Sequence, residues 1–136
     1  MATPFISRRR VEFHDTDMAG IVHFSNFFRY MEVAEVEFLR ERGLGVTWRT
    51  EGRRIGFPRV SASCDFFKPI RFEDEVEIAV TVERVGAKSV TYSHEFRRGG
   101  ELVARGKVTA CCVRVHDDNR FESLEIPDDI RAKLLA

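Results

Sequence analysis

The residues with the most chemistry between them lie in one segment, Val11-Glu12-Phe13-His14-Asp15-Thr16-Asp17-Met18-Ala19-Gly20-Ile21-Val22-His23-Phe24-Ser25-Asn26. Two carboxylates, Asp15 and Asp17, stand two residues apart. Gly20 lets backbone come close to a ligand, and a helical pattern begins at Phe24, where unpaired amides carry partial positive charge. A carboxylate held there stays ionised. It suits attack on an electrophile or activation of water, while the amides polarise a carbonyl, which is the chemistry of acyl transfer. The same spacing also fits an Asx-turn and a helix-start cap, the commoner fate of such residues and the favoured reading on spacing alone. His14, Asp15, Asp17 and His23 show no familiar metal-ligand spacing and mix hard oxygens with softer imidazoles, so no metal is expected.

These residues must be positioned by the elements around them. Phe24, Phe27, Phe28, Met31, Ala34 and Phe38 recur at three- and four-residue intervals with charged residues between, which predicts an amphipathic helix of about four turns. Ser25 or Asn26 is expected to cap its start and Gly43 to end it. Val76, Ile78, Val80 and Val82 alternate with polar or small residues, and period-two readings also fit Arg8 to Phe13, Val60 to Phe67, Ser89 to Arg97 and Leu102 to Val115. Gly86 and the pair Gly99-Gly100 mark hairpin turns. Short links demand antiparallel neighbours, and one twisted sheet curling round one apolar helix buries both, so the fold class is α+β. The helix cannot cover both faces and a bare edge strand pairs readily, so a homodimer or larger homo-oligomer is expected, with the site at the subunit junction.

The chain has 136 residues, 43% hydrophobic, with no repeat, low-complexity tract or linker, so residues 1–136 read as one domain. Twenty-two Lys plus Arg balance 22 Asp plus Glu, leaving no basic field to hold a phosphate backbone, which argues against nucleic acid. The longest stretch without Asp, Glu, Lys or Arg is Met18 to Phe28, 11 residues against the roughly 20 needed to span a bilayer. The basic run Arg8-Arg9-Arg10 follows rather than precedes the apolar opening, unlike a secretory signal, so a cytoplasmic location is expected. Cys64, Cys111 and Cys112 form no disulfide framework or zinc spacing and are expected to be reduced and buried.

The run Asp15-Thr16-Asp17-Met18-Ala19-Gly20-Ile21-Val22-His23-Phe24-Ser25-Asn26, followed by the helix, resembles the hotdog-fold acyl-CoA thioesterases of the 4-hydroxybenzoyl-CoA thioesterase family. Phe66-Phe67-Lys68-Pro69, Glu73-Asp74 before an alternating strand, and Gly86-Ala87-Lys88-Ser89 extend the similarity to about Val115. The resemblance implies a hotdog fold, an antiparallel five-stranded sheet wrapped around a long central helix. It implies hydrolysis of an acyl-CoA thioester, with no cofactor other than the coenzyme A of the substrate. By position, Asp17 would be the nucleophile or general base and Asp15 supporting structure. The Phe24 backbone amide, seven residues after Asp17, would donate to the thioester oxygen. Many members carry Tyr or His there; Phe is similar to the 1,4-dihydroxy-2-naphthoyl-CoA thioesterases and leaves aromatic and aliphatic acyl groups open.

His23, six residues after Asp17, is a candidate second acid or base, or a ring near the helix cap. Gly20 would sit against substrate, Phe27 and Phe28 near the acyl group, and Lys88, Ser89 and less strongly Arg59 at the coenzyme A phosphates. Glu32 and Glu35 on the helix read as solvated or paired. Two other functions fit the same residues less well. One is a non-catalytic acyl-CoA or acyl-carrier binding module. The other is a hotdog hydratase, whose Gly-Asp-x-Asn-Pro-x-His type of pattern is absent. A dimer of dimers is the expected assembly.

Overall fold

The computed structural model describes residues 3–136. In chain order the elements are β1 (Phe5–Arg10), α1 (Phe24–Glu41), β2 (Thr47–Thr50), β3 (Arg53–Gly56), β4 (Arg59–Phe66), β5 (Glu75–Val85), β6 (Ser89–Arg98), β7 (Glu101–Cys111), β8 (Val113–Val115), β9 (Phe121–Ser123) and α2 (Asp128–Leu135). Five strands form one sheet in the order β1-β5-β6-β7-β4, and every neighbouring pair is antiparallel. The sheet wraps α1, as the hotdog resemblance implied.

The apolar stripe of α1 explains the wrap. Phe27, Tyr30, Met31, Ala34 and Phe38 are buried against Val76, Ile78 and Val80 of β5 and Val90, Tyr92 and Phe96 of β6. At Gly106 of β7 the helix comes close to the sheet: a Cβ there would stand 2.4 Å from the Met31 Sδ and 3.0 Å from the Ser63 carbonyl of β4. Gly43, with φ +73°, ends the helix as expected, and Leu44 N–H closes back on the Leu39 carbonyl at 2.7 Å.

The structure corrects several boundaries. The first strand runs Phe5–Arg10 rather than Arg8 to Phe13, because the residues it turns inward are Phe5, Ser7 and Arg9. Ser7 donates to Glu37, and the Arg9 guanidinium lies 4.6 Å from the Tyr30 ring centroid, so polar side chains fill core-facing positions that a hydrophobicity pattern overlooks. The last predicted strand breaks at Cys112, whose N–H bonds the Lys88 carbonyl and whose carbonyl accepts from Leu124 N–H. Beyond it, β8 joins a second sheet, β2-β3-β8-β9, which the sequence reading did not foresee, nor did it foresee α2. Only Cys112 is buried; Cys64 and Cys111 are half-buried free thiols.

β4 stands at the edge of the main sheet, paired on one side only, and all of its eight residues except Cys64 are exposed. An edge this long and this bare, carrying Val60 at 60% exposure and Phe66 at 45%, is a template for a further strand. Among the described residues no helix is long and apolar enough to cross a membrane.

Candidate active site

The segment between β1 and α1 is built from short-range hydrogen bonds that set Asp15 and Asp17 on different tasks. Asp15 is 4% exposed. Its Oδ2 accepts from the Glu12 N–H at 3.0 Å and from the Tyr30 hydroxyl at 2.7 Å. Its backbone carbonyl accepts from the His23 N–H at 2.9 Å and the Asn26 side-chain amide at 2.8 Å. Such a carboxylate is spent on structure, as the resemblance implied. Burial, then the bond to Asp15, pushes the Tyr30 phenol far above its ordinary range, so it stays protonated and donates.

Asp17 is exposed and sits in a tight turn. Its N–H bonds the Ile21 carbonyl, and Gly20, at φ +79°, returns its own N–H to the Asp17 carbonyl, both at 2.9 Å. The left-handed φ is what makes glycine fit there. Asp17 Oδ1 accepts from the Ala19 N–H at 2.8 Å, an Asx-turn, while Oδ2 has no partner among the described residues. The turn reading is met by this side chain: one oxygen orients it, and the other is open.

That open carboxylate borders a cleft of about 530 Å³ between the helix start and the chain leaving β4. Val22, Phe27, Phe66 and Ile70 give it apolar walls, Phe27 meeting Phe66 edge to face at 4.9 Å between ring centroids. Asp17 and Lys68 are the charged residues among those lining it. Phe24 lines it too, as the first residue of α1, and its N–H has no acceptor among the described residues. A residue with a free carboxylate oxygen and a helix-start residue with an unpaired, dipole-reinforced amide thus line the same apolar space.

The helix start departs from expectation in its cap. His23, rather than Ser25 or Asn26, is the capping residue: its Nδ1 accepts from the Ser25 N–H at 3.2 Å and contacts the Ser25 hydroxyl at 2.8 Å. Its ring stacks on that of Phe24, with centroids 4.6 Å apart. His23 is not among the residues lining the cleft.

Phe28 is half-buried and packs on the core away from the cleft. Arg59 is engaged elsewhere, its Nη2 2.7 Å from Oε2 of Glu35, whose Oε1 lies 3.2 Å from the fully buried His94 Nε2. Glu35 is thus paired and buried and Glu32 exposed. Lys88 and Ser89 stand at the far end of β6: Ser89 is opposite Cys111, whereas the cleft-side Phe66 and Phe96 are both opposite Ala104. Seven residue steps along the strand, about 23 Å, separate Ser89 from Phe96, so one chain does not unite Lys88, Ser89 and Arg59 with Asp17. Two basic residues the sequence reading did not single out as site residues are nearer: Lys68 in the cleft, and Arg71, whose Nη1 lies 4.0 Å from a Cβ built on Gly20. The Lys68-Pro69 pair, which turns the chain out of the strand, was the available signal.

This fold, with an acid and an amide flanking an apolar cleft, is that of a thioester-cleaving enzyme class, and comparison with known proteins agrees. The chain belongs to the thioesterase-like superfamily, whose family model matches residues 11–134. A protein of Aquifex aeolicus is 37% identical over 113 residues, covering 82% of this chain and 86% of its own length. The 4-hydroxybenzoyl-CoA thioesterase of Pseudomonas sp. (strain CBS-3) is 30% identical over 137 residues, 95% of this chain and 96% of its own. The crystal structure of a gentisyl-coenzyme A thioesterase superposes with a TM-score of 0.82 at 31% identity, covering 96% of this chain and 99% of that one.

Proposed function

We propose that the protein is an acyl-CoA thioesterase that hydrolyses its substrate to a carboxylic acid and free coenzyme A at the Asp17 cleft. The observation that carries this reading is that Asp17, with Oδ2 unpartnered among the described residues, and Phe24, with an acceptor-free N–H, line the same apolar cleft. The thioester carbonyl oxygen accepts from Phe24, which draws charge toward the helix start as the carbonyl carbon becomes tetrahedral. Asp17 then either attacks that carbon, forming a mixed anhydride that water hydrolyses, or takes a proton from the water that attacks. In both routes the C–S bond breaks, the coenzyme A sulfur leaves with the electron pair and is protonated, and water supplies the oxygen of the new acid. Phe27 and Phe66 supply contact area for an acyl group of aromatic or short-to-medium length.

The working unit in this reading is a homodimer, or a dimer of dimers, with β4 paired antiparallel to β4 of a second copy. Such pairing carries the Arg59 end of one strand to the Phe66 end of the other, which brings the second copy's Lys88 and Ser89 toward this cleft for the coenzyme A phosphates. Arg59, held by Glu35, is a lesser contributor.

A panel of aromatic and straight-chain acyl-CoA thioesters, followed by thiol release, tests the reading with Asp17→Asn as the control. Turnover should fall about 100-fold or more while the fold is kept, since an amide is neither nucleophile nor base. Near-normal turnover of Asp17→Asn refutes it. Tight acyl-CoA binding without thiol release would instead mark a binding module, and loss of an enoyl-CoA double bond without thiol release a hydratase.

A further inference from the structure

Asn26 and Tyr30 stand one helical turn apart on α1 and close on Asp15 from two sides. The Tyr30 hydroxyl holds the Asp15 carboxylate at 2.7 Å; the Asn26 amide holds the Asp15 backbone carbonyl at 2.8 Å. Neither side chain lines the cleft. What they join are its two working groups. Asp15 begins the turn that carries Asp17, through the Thr16–Val22 bridge and the Asp17–Ile21 bond. Asn26 and Tyr30 sit on the same helix as Phe24, within two turns of its open N–H. The grip is itself braced. Tyr30 is 1% exposed, and the Arg9 guanidinium from β1 lies over its ring at 4.6 Å, so the phenol points to Asp15 and not to solvent.

We propose that Tyr30 and Asn26 are positioning residues for thioester cleavage, setting the separation between the Asp17 carboxylate and the Phe24 amide through Asp15. The inference rests on the hydrolase reading above. Without the Tyr30 hydroxyl, the buried Asp15 Oδ2 keeps only the Glu12 N–H and is free to turn. Without the Asn26 amide, the Asp15 carbonyl keeps only the His23 N–H. Either loss loosens the turn against the helix, and a displacement of about 1 Å between reacting groups lowers turnover on the order of 100-fold.

The test compares kcat and KM for wild type, Tyr30→Phe and Asn26→Ala on the best acyl-CoA of the panel. Alongside, the Kd of a non-hydrolysable thioether analogue of that acyl-CoA is measured for each. Tyr30→Phe keeps the ring and its contact with Arg9, and Asn26→Ala removes only a partly buried amide, so a folded variant is available even if one of the two proves unstable. Expected is a fall in kcat of about 10- to 100-fold with KM and analogue Kd within about 3-fold, because ground-state binding is made by the cleft walls and not by these residues. An unchanged kcat in a folded variant overturns the inference. So does a weakening of Kd equal to the loss of kcat, which would mean general damage to the site. With wild type active and Asp17→Asn inactive, either result sinks the positioning role alone; an inactive wild type or an active Asp17→Asn sinks the hydrolase reading first.

Discussion

Replacing Arg59 by Met isolates a charge cluster that lies away from the cleft of its own chain, and its consequence is measurable. Glu35 is 1% exposed and His94 fully buried, while the Arg59 side chain keeps 29% of its exposure. Arg59 is the permanent cation of the three, bonded to Glu35 at 2.7 Å. Removing one partner of a buried pair typically costs 3–5 kcal/mol, because the remaining charge has lost its solvent as well as its partner. Arg59 is partly wet, so the lower bound, about 3 kcal/mol, applies. For 136 residues at about 2.1 cal/mol/K each, the unfolding entropy is near 0.29 kcal/mol/K, and Tm should drop by about 10 °C. Adding Glu35→Gln should recover part of the loss, a coupling of about 1.5 kcal/mol, since the uncompensated charge is then gone. Urea unfolding of the wild type, both single variants and the double, at one fixed protomer concentration, measures the cycle. A cost below about 0.5 kcal/mol for Arg59→Met, or strictly additive single and double variants, refutes the argument.

Gly106→Ala should destabilise by about 1–3 kcal/mol, because its Cβ meets the Met31 sulfur and the rigid Ser63 carbonyl; shortening Met31 to Val should relieve part of this, and a fully stable Gly106→Ala would contradict the contact. Burial pushes the Cys64 and Cys112 thiols up to about 11, so at pH 8 each holds less thiolate than an ordinary cysteine. Iodoacetamide labelling of these two, read by mass spectrometry, should be slow at pH 7 and quicken about tenfold per unit toward pH 9; rapid labelling at pH 7 would rule this out.

How far the sequence could be read depended on whether one chain and one pattern carried the information. The stripe from Phe24 to Phe38 and the alternation of Val76, Ile78 and Val80 were legible because burial alone dictates them. The Asp15 to Asn26 motif was legible as a candidate site, and the structure sets its two carboxylates apart, Asp15 buried and bonded and Asp17 exposed in an Asx-turn. β1 was misplaced by three residues because Ser7 and Arg9 face inward, Ser7 bonding Glu37 and the Arg9 guanidinium lying over the Tyr30 ring. The second sheet was invisible because its strands are three or four residues long, too short for a period to register. His23 was missed as the cap because histidine is not among the usual capping residues, although its Nδ1 does the same work. Lys88 and Ser89 lie about 23 Å up β6 from the cleft-side residues, a separation that spacing along the chain does not reveal.

The dent at Gly106 has a mechanical consequence for the rest of the molecule. Met31 drops its thioether into a gap one side chain wide, and Phe24 lies seven residues, about 10 Å, nearer the start of the same rod. A rod keyed at one tooth neither slides by a turn nor rolls without lifting the sulfur out of its seat. The height of the first peptide group above the strands is therefore registered by a close-packed contact deep inside the molecule, and the loop that follows the rod is free to vary in length and composition without resetting it.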